Sequence, residues 1–164
     1  MENYDEIRKN AVLALKAINP QLPYGTELFN EIARVTVGTA IEAVILRKKF
    51  GCTEVFLTKR PDGEAYGGLW HCPGTFLRPG EDEADAFKRL EDKEKVGKFT
   101  NKRFIGYKNT PNEERGHIIQ LIFLCDIEPV AGNVGTWYPV DNLPTNIVDN
   151  HRVILIPKAV AAIL

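Results

Sequence analysis

Cysteine, histidine and net charge are all scarce in this chain, and each shortage closes off a class of function. The three cysteines, Cys52, Cys72 and Cys125, stand far apart, with no CxxC pair and no Cys/His grouping at zinc-finger spacing. A structural zinc is therefore not expected, and the three read as reduced thiols in or near strands. The formal charge is only −1, which leaves no global basic field to gather nucleic acid or an anionic membrane. Any anion must be held by local geometry. No apolar run approaches the roughly 18–20 residues that a membrane span requires, and no signal-peptide pattern is present, so a cytoplasmic protein is expected. Neither G-x-G-x-x-G nor G-K-[ST] occurs, which removes the common glycine-loop nucleotide fingerprints. Repeats and low-complexity segments are missing as well.

What is there suits one globular domain. The chain has 164 residues, 44% of them hydrophobic and 26% charged, enough to bury a sizeable core. Residues 3–18 predict a helix, with Ile7, Val12, Leu13, Leu15 and Ile18 near helical spacing and Asn19-Pro20 ending it. Thr26 is expected to cap a second, short helix running to about Ala33. From Val35 to Lys49 small and β-branched residues predict one long strand, or two joined at Gly38. Within it, Glu42 either shares a face with Val44 and Leu46, toward a site, or lies on the water side of an antiparallel sheet.

Phe50-Gly51-Cys52 marks a hairpin turn, and a strand over 53–59 ends at Lys59-Arg60. Further strands are expected over 98–107 and 117–127, separated by a polar loop at 109–116. A loop follows at 128–136, then a short extended piece at 137–140. Residues 147–164 predict helix broken at Pro157. The order implies an α+β sandwich rather than regular βαβ alternation. Residues 1–33 form a helical extension to a core over 34–164. The apolar faces of the extension must be buried on that core or against a second copy, and a homodimer is the favoured of the two.

The stretch Gly68–Gly97 carries the chemistry. A short aromatic strand, two Pro-Gly turns and a helix from about Asp82 to Val96 follow one another, with seven acids counted from Glu81. On that helix Ala86, Phe87 and Leu90 form the apolar side. Glu94 lies one turn beyond Leu90, and Glu91 is close enough in spacing to converge on it. A carboxylate pair beside a glycine turn suits a hard cation that bridges to phosphate. Lys59 and Arg60 are placed to neutralise a diphosphate. The same charges also fit a solvated surface helix with pairs such as Glu91–Lys95.

Residues 73–94 resemble the Nudix box, G-x5-E-x7-R-E-U-x-E-E-x-G-U with U aliphatic. Counted from Thr75, Glu81 and Arg89 fall on the spacing, and Glu94 falls on the last glutamate. The lead-in Lys59-Arg60…Gly68-x-Trp70…Pro73-Gly74, the Arg115-Gly116-His117 run and WYPVDNLP extend the resemblance over roughly 35–156. It implies a Nudix-like α/β/α sandwich with a mixed sheet, and Mg²⁺ or Mn²⁺ as the cofactor. Thr75 stands at the opening glycine, Leu90 at a glutamate, Lys93 at the first of the paired glutamates, and Gly97 one place late.

Phe87-x-Arg89-Leu90-x-x-x-Glu94 is similar to the GDP-mannose mannosyl hydrolase branch. That similarity implies metal held by Glu94 and the Gly74 carbonyl; Glu91 enters as a second carboxylate when the box is shifted by one place to fit Gly97, a frame that loses Arg89. It also implies Arg60 on the departing diphosphate and Glu42 as the acid of the first core strand. That branch takes its histidine base from a later loop, and residues 128–136 contain none.

The catalytic candidates are thus Arg89, Glu91, Glu94, Glu113, Glu114 and His117, the last three beside the strand over 117–127. Glu42, Lys59, Arg60 and Trp70 are the substrate-binding candidates, Trp70 by stacking on a base or sugar. The expected function is a Mg²⁺-dependent hydrolase of a nucleoside diphosphate linked to another moiety, such as a nucleotide sugar. The alternative is a catalytically weakened Nudix module that binds a nucleotide or a protein partner, and Leu90 and Lys93 motivate it. No helix-turn-helix or basic extension points to nucleic acid.

Overall fold

The computed structural model describes residues 3–128, 132 and 134–164. Of the loop expected over 128–136, residues 129–131 and 133 lie outside the described residues. The centre of the molecule is β1, Val37–Lys49, one continuous strand with no break at Gly38. Its run from Ala40 to Ile45 is buried throughout, as a strand covered on both faces requires.

Among the described residues seven strands form the sheet, in the order β3-β2-β1-β6-β5, with β4 added to β1 and β7 to β2. They are β2, Cys52–Lys59; β3, Trp70–His71; β4, Gly74–Phe76; β5, Lys98–Glu113; β6, Gly116–Glu128; and β7, Thr136–Pro139. β1 runs parallel to β6 and antiparallel to β2 and β4, so the sheet is mixed.

Alternation along β1 divides the core into two. Ile41, Ala43 and Ile45 face the helix α3, Glu83–Glu94, and pack with Phe56, Ala86, Phe87, Leu90 and Phe123. Val44 faces the other way, toward Leu57, Cys72, Ile122, Leu155 and Ile156. Each fully buried Phe or Leu contributes about 2–3 kcal/mol through removal from water. The Phe87 ring meets Phe99 and Phe123 edge to face at 5.4 and 5.3 Å, which adds orientation to burial.

Helix α3 begins at the Asp82 cap, whose carboxylate accepts from the Asp85 backbone N–H at 2.9 Å. Asp82→Ala is expected to cost about 1 kcal/mol and to lower the thermal midpoint by roughly 2–4 °C, measurable in a melt of the full chain. The helix ends at Lys95 in the left-handed region, φ 52°.

Three expectations are corrected. The segment 109–116 is not a loop: β5 continues to Glu113, and Asn109 and Thr110 pair with Ile119 and Ile118. Its polar character fits an edge strand, and Pro111 sits where the register shifts between Thr110 and Glu113. Pro157 does not break a helix but opens one. A π-helical turn over His151–Leu155 leads into α4, Ile156–Ala161, with the proline in its first turn where no N–H is needed. The second helix, α2, Gly25–Val35, starts at Gly25 (φ +71°) with no side-chain cap, so Thr26 does not cap it.

Helix α2 buries Ala33 and packs Phe29 edge-on to Phe76 at 5.1 Å. The first helix, α1, Tyr4–Ala17, has no buried residue, and Ile7, Val12, Leu13 and Leu15 are exposed. Its apolar stripe is therefore not covered by the core. No helix among the described residues is long and apolar enough to cross a membrane.

Candidate active site

A cleft of about 510 Å³ opens where β1, β4, β6 and α2 meet the loop after β2, near the N-terminal end of β1. Its position follows from the way β1 changes partners. The strand pairs with β2 from Leu46 to Lys49 but with β4 from Ala40 to Glu42. At that second pairing Glu42 lies opposite Gly74. A Cβ on residue 74 would overlap the Glu42 carboxylate and lie 3.0 Å from the Ile41 carbonyl oxygen, so only glycine fits.

Glu42 is 6% exposed, which settles its orientation against the water-side alternative. Its Oε1 accepts from Gln120 Nε2 at 3.0 Å, while Oε2 is buried and has no partner. Gln120 is oriented in turn by Asn150, whose amide donates to Gln120 Oε1, and by the Thr110 hydroxyl at 3.3 Å. Burial pushes the Glu42 carboxyl from its ordinary 4.5 up to about 7, against the pull of the Gln120 hydrogen bond, Arg115 and Arg60. A carboxyl that titrates near neutrality while facing a cleft is suited to taking and returning a proton.

Arg60 lies at the hub of the cleft's field. Its charge bears on Glu42, Glu94, His71 and His151. The side chain is only 15% exposed, and its buried Nε has no hydrogen-bond partner. A desolvated guanidinium with donors to spare is a ready receiver of phosphate oxygens.

Both buried histidines of the cleft are neutral. Burial pushes His151 down to about 3, and its Nδ1 accepts from the Cys72 backbone N–H at 2.9 Å, so its proton sits on Nε2. Burial first, then His151, holds His71 well below the usual imidazole range. Its Nε2 is 3.1 Å from the Thr58 hydroxyl, which donates to Glu94 Oε2 at 3.0 Å. Having spent its one proton on Glu94, Thr58 accepts from His71 Nε2–H.

The candidates read from sequence divide into two groups. The cleft is lined by Glu42, Arg60, Gly74, Arg89 and Glu113. Glu94 lies just behind His71 and Lys93, partly buried, with desolvation raising its carboxyl. The rest are elsewhere. Glu91 accepts from the Phe99 backbone N–H at 2.7 Å and ties the end of α3 to β5. Lys59 is exposed at the end of β2, on the face opposite Thr58 and Arg60. Trp70, half-buried, packs edge-on to Tyr138 at 5.2 Å against the core and does not line the cleft. Glu114 is exposed, and His117 bonds Asn109 at 2.6 Å on the face of β6 opposite Gln120.

Arg89, though it borders the cleft, is committed to structure: it binds Glu81 through both carboxylate oxygens, Thr75 Oγ1 and the Phe76 carbonyl. Glu113 is held by Arg115 at 2.8 Å. The Arg115 guanidinium also stands 5.1 Å from the Phe76 ring and 5.7 Å from that of Tyr66. Phe76, Phe29 and Tyr66 so give the cleft an aromatic wall.

No local pattern marks His71, His151, Tyr66 or Gln120, because each reaches the cleft through tertiary packing. Arg115 did stand in a recognised run, with His117 favoured in its place.

The donor set does not fit a resident Mg²⁺ or Mn²⁺. Among the described residues no three His, Cys, Asp or Glu side chains converge to hold a metal. Glu91 is engaged elsewhere, and the Lys93 ammonium stands 4.0 Å from Glu94 Oε1, where it competes with any cation.

No family model matches the chain, and no curated protein does. Solved structures do match in fold. A MutT/Nudix family protein from Listeria innocua is 22% identical over 77% of this chain and 93% of its own, with a TM-score of 0.57. The Ap4A hydrolase of C. elegans is 18% identical over 79% of this chain and 100% of its own, at 0.58. Shewanella oneidensis NrtR, solved in complex with a 27mer DNA, is 17% identical over 76% of this chain at 0.59. This chain spans only 61% of NrtR's length. At these identities the likeness is one of fold, and the fold is that of Nudix proteins.

Proposed function

We propose that the cleft binds a nucleoside diphosphate joined to a second group and hydrolyses it by attack of water on phosphorus. The observation that carries this reading is the pairing in one cleft of two unsatisfied buried groups, Glu42 Oε2 and Arg60 Nε. A buried polar atom without a partner is costly, and a phosphate ester with its attacking water answers both. In the step proposed, the water oxygen bonds to phosphorus as its proton passes to the Glu42 carboxylate. The bridging P–O bond breaks, and its electron pair leaves on the departing phosphate, which Arg60 neutralises. The neutral His151 offers an N–H donor to the same anion. The aromatic wall suits a base or sugar, and the volume lies within the range of small-molecule sites.

The Nudix-like fold and its likeness to a dinucleotide hydrolase support the substrate class. The net charge of −1 favours a small anion over nucleic acid as the partner. The bare stripe on α1 supports self-association through that helix.

A second reading, binding without efficient turnover, is favoured by Glu91 bonding to Phe99 and by the lysine beside Glu94. A panel of nucleotide sugars, ADP-ribose, dinucleotides and nucleoside triphosphates separates the two. It is run with Mg²⁺, with Mn²⁺ and with a chelator. The expected result is release of a phosphate-bearing product from at least one diphosphate-linked substrate. Retained nucleotide binding with no product under any condition would leave only the second reading.

A further inference from the structure

We propose that Lys93 and Arg60 form a phosphate clamp that works without a metal ion, and that the carboxylate of Glu64 occupies it in the resting protein. The proposal rests on the diphosphate reading above. Its ground is a convergence of charges on one oxygen. Glu64 Oε2 lies 3.4 Å from an Arg60 terminal nitrogen and 3.6 Å from Lys93 Nζ, and all three side chains line the cleft. Two cations from distant parts of the chain, one after β2 and one on α3, thus share a single anionic oxygen. That is how a phosphate oxygen is gripped. Lys93 is aimed at this point by Glu94, whose Oε1 is 4.0 Å from its ammonium.

The occupant is loosely held and the clamp is not saturated. Contacts of 3.4 and 3.6 Å are long for charge-assisted hydrogen bonds, which normally close to about 2.7–2.9 Å. Arg60 Nε remains buried with no partner at all. A single carboxylate therefore satisfies the two cations incompletely. A diphosphate brings more charge and more oxygens, enough to reach Nε as well.

Glu64 can leave at little cost. Its side chain is 39% exposed and rides on the turn that joins β2 to β3. The turn itself is firmly built, with Gly67 N–H bonded to the Glu64 carbonyl at 2.9 Å and Gly68 N–H to the Arg60 carbonyl at 3.0 Å. Only the side chain has to swing. Lys93, the residue that spoils a carboxylate cage, supplies in this arrangement the positive charge a metal would have brought.

The test is calorimetric titration of the full chain with inorganic pyrophosphate in the presence of a chelator. Removing the internal competitor, Glu64→Gln, is expected to tighten binding by about tenfold. Removing one jaw, Lys93→Met, should weaken it by about tenfold in either background, the scale set by one charged partner of a phosphate. Both side chains are partly exposed, and thermal melts confirm that the variants fold. Unchanged affinity in both variants, or binding that appears only when Mg²⁺ is added, overturns the clamp. Because pyrophosphate binding is read without turnover, the two proposals fail separately. Hydrolysis with no variant effect removes the clamp alone, and the variant pattern without hydrolysis keeps the clamp and removes the enzyme.

Discussion

Glu42→Gln is expected to lower turnover by roughly 100-fold or more, the scale of a lost general base, and at the same time to make the folded protein more stable above pH 7. The two effects have one cause. Burial raises the Glu42 carboxyl from 4.5 to about 7, which is to say that ionising it in place costs the fold about 3 kcal/mol. Below the unfolded value the group is protonated in both states and carries no penalty. Between 4.5 and about 7 the unfolded chain ionises while the folded one keeps its proton, so stability falls as pH rises. Above that window the loss is complete and constant.

Glutamine keeps the shape and an oxygen to accept from Gln120, and it never ionises. The variant should therefore match the wild type near pH 4.5 and exceed its thermal midpoint at pH 8 by roughly 5–10 °C. Melts of both proteins across that range decide the matter, and parallel curves would show that Glu42 is not the titrating group. In the kinetic profile, wild-type rate should climb as pH passes about 7, where Glu42 becomes the free carboxylate. The residual rate of the variant should lack that limb.

Arg89→Ala should be the most damaging change to the fold near the site, at about 3 kcal/mol or more. Arg89 is on α3 and closes four hydrogen bonds, two to Glu81, one to Thr75 Oγ1 and one to the Phe76 carbonyl, all between 2.6 and 2.7 Å. The pair is largely shielded, with side chains 22% and 14% exposed. Truncation leaves the Glu81 carboxylate without its main partner and β4 without its tie to the helix. The loss is larger than for an exposed ion pair because the stranded groups lack full access to water.

The pH signature has the opposite sense to that of Glu42. The Arg89 hydrogen bonds hold Glu81 below the usual carboxylate range, so the pair stabilises fully above the ordinary 4.5 and loses its effect as pH falls through the depressed value. Denaturant midpoints at pH 7 and at about pH 3 should show the deficit of the variant shrinking in acid. A deficit that stays constant would assign it to packing alone. A lysine in the same place cannot span the planar fork and should recover little.

How much of this was legible beforehand varies with the range of the interaction. Helix α3, the strands β1 and β6 and the turn before the helix all follow from local spacing, whereas the Glu81–Arg89 ion pair appears only in the fold, the box pattern having marked the two positions without pairing them. Glycine at 74 is likewise visible in the sequence, but the reason for it is not, since the carboxylate it makes room for belongs to β1. The carboxylates Glu91 and Glu94 stand close enough on one helix to suggest a metal pair. In the fold one turns to the Phe99 backbone and the other lies under Thr58 and Lys93. Spacing on a helix states which residues are neighbours and is silent on which third element arrives first to claim them.

The stretch of β5 from Asn109 to Glu113 was hidden for a related reason. An edge strand tolerates polar residues that read as loop, and its partner β6 supplies the pairing. By itself, then, the sequence determined the mixed α+β architecture, the charged helix and the chemical types available to the site. Those are properties of periodicity, turn chemistry and composition, all local. The tertiary structure alone decided that Glu42 is desolvated, that His71 and His151 are neutral and face the cleft, and that Glu64 sits between Arg60 and Lys93. Burial, field and partner are set by chain segments far apart in sequence, and proton affinity depends on all three.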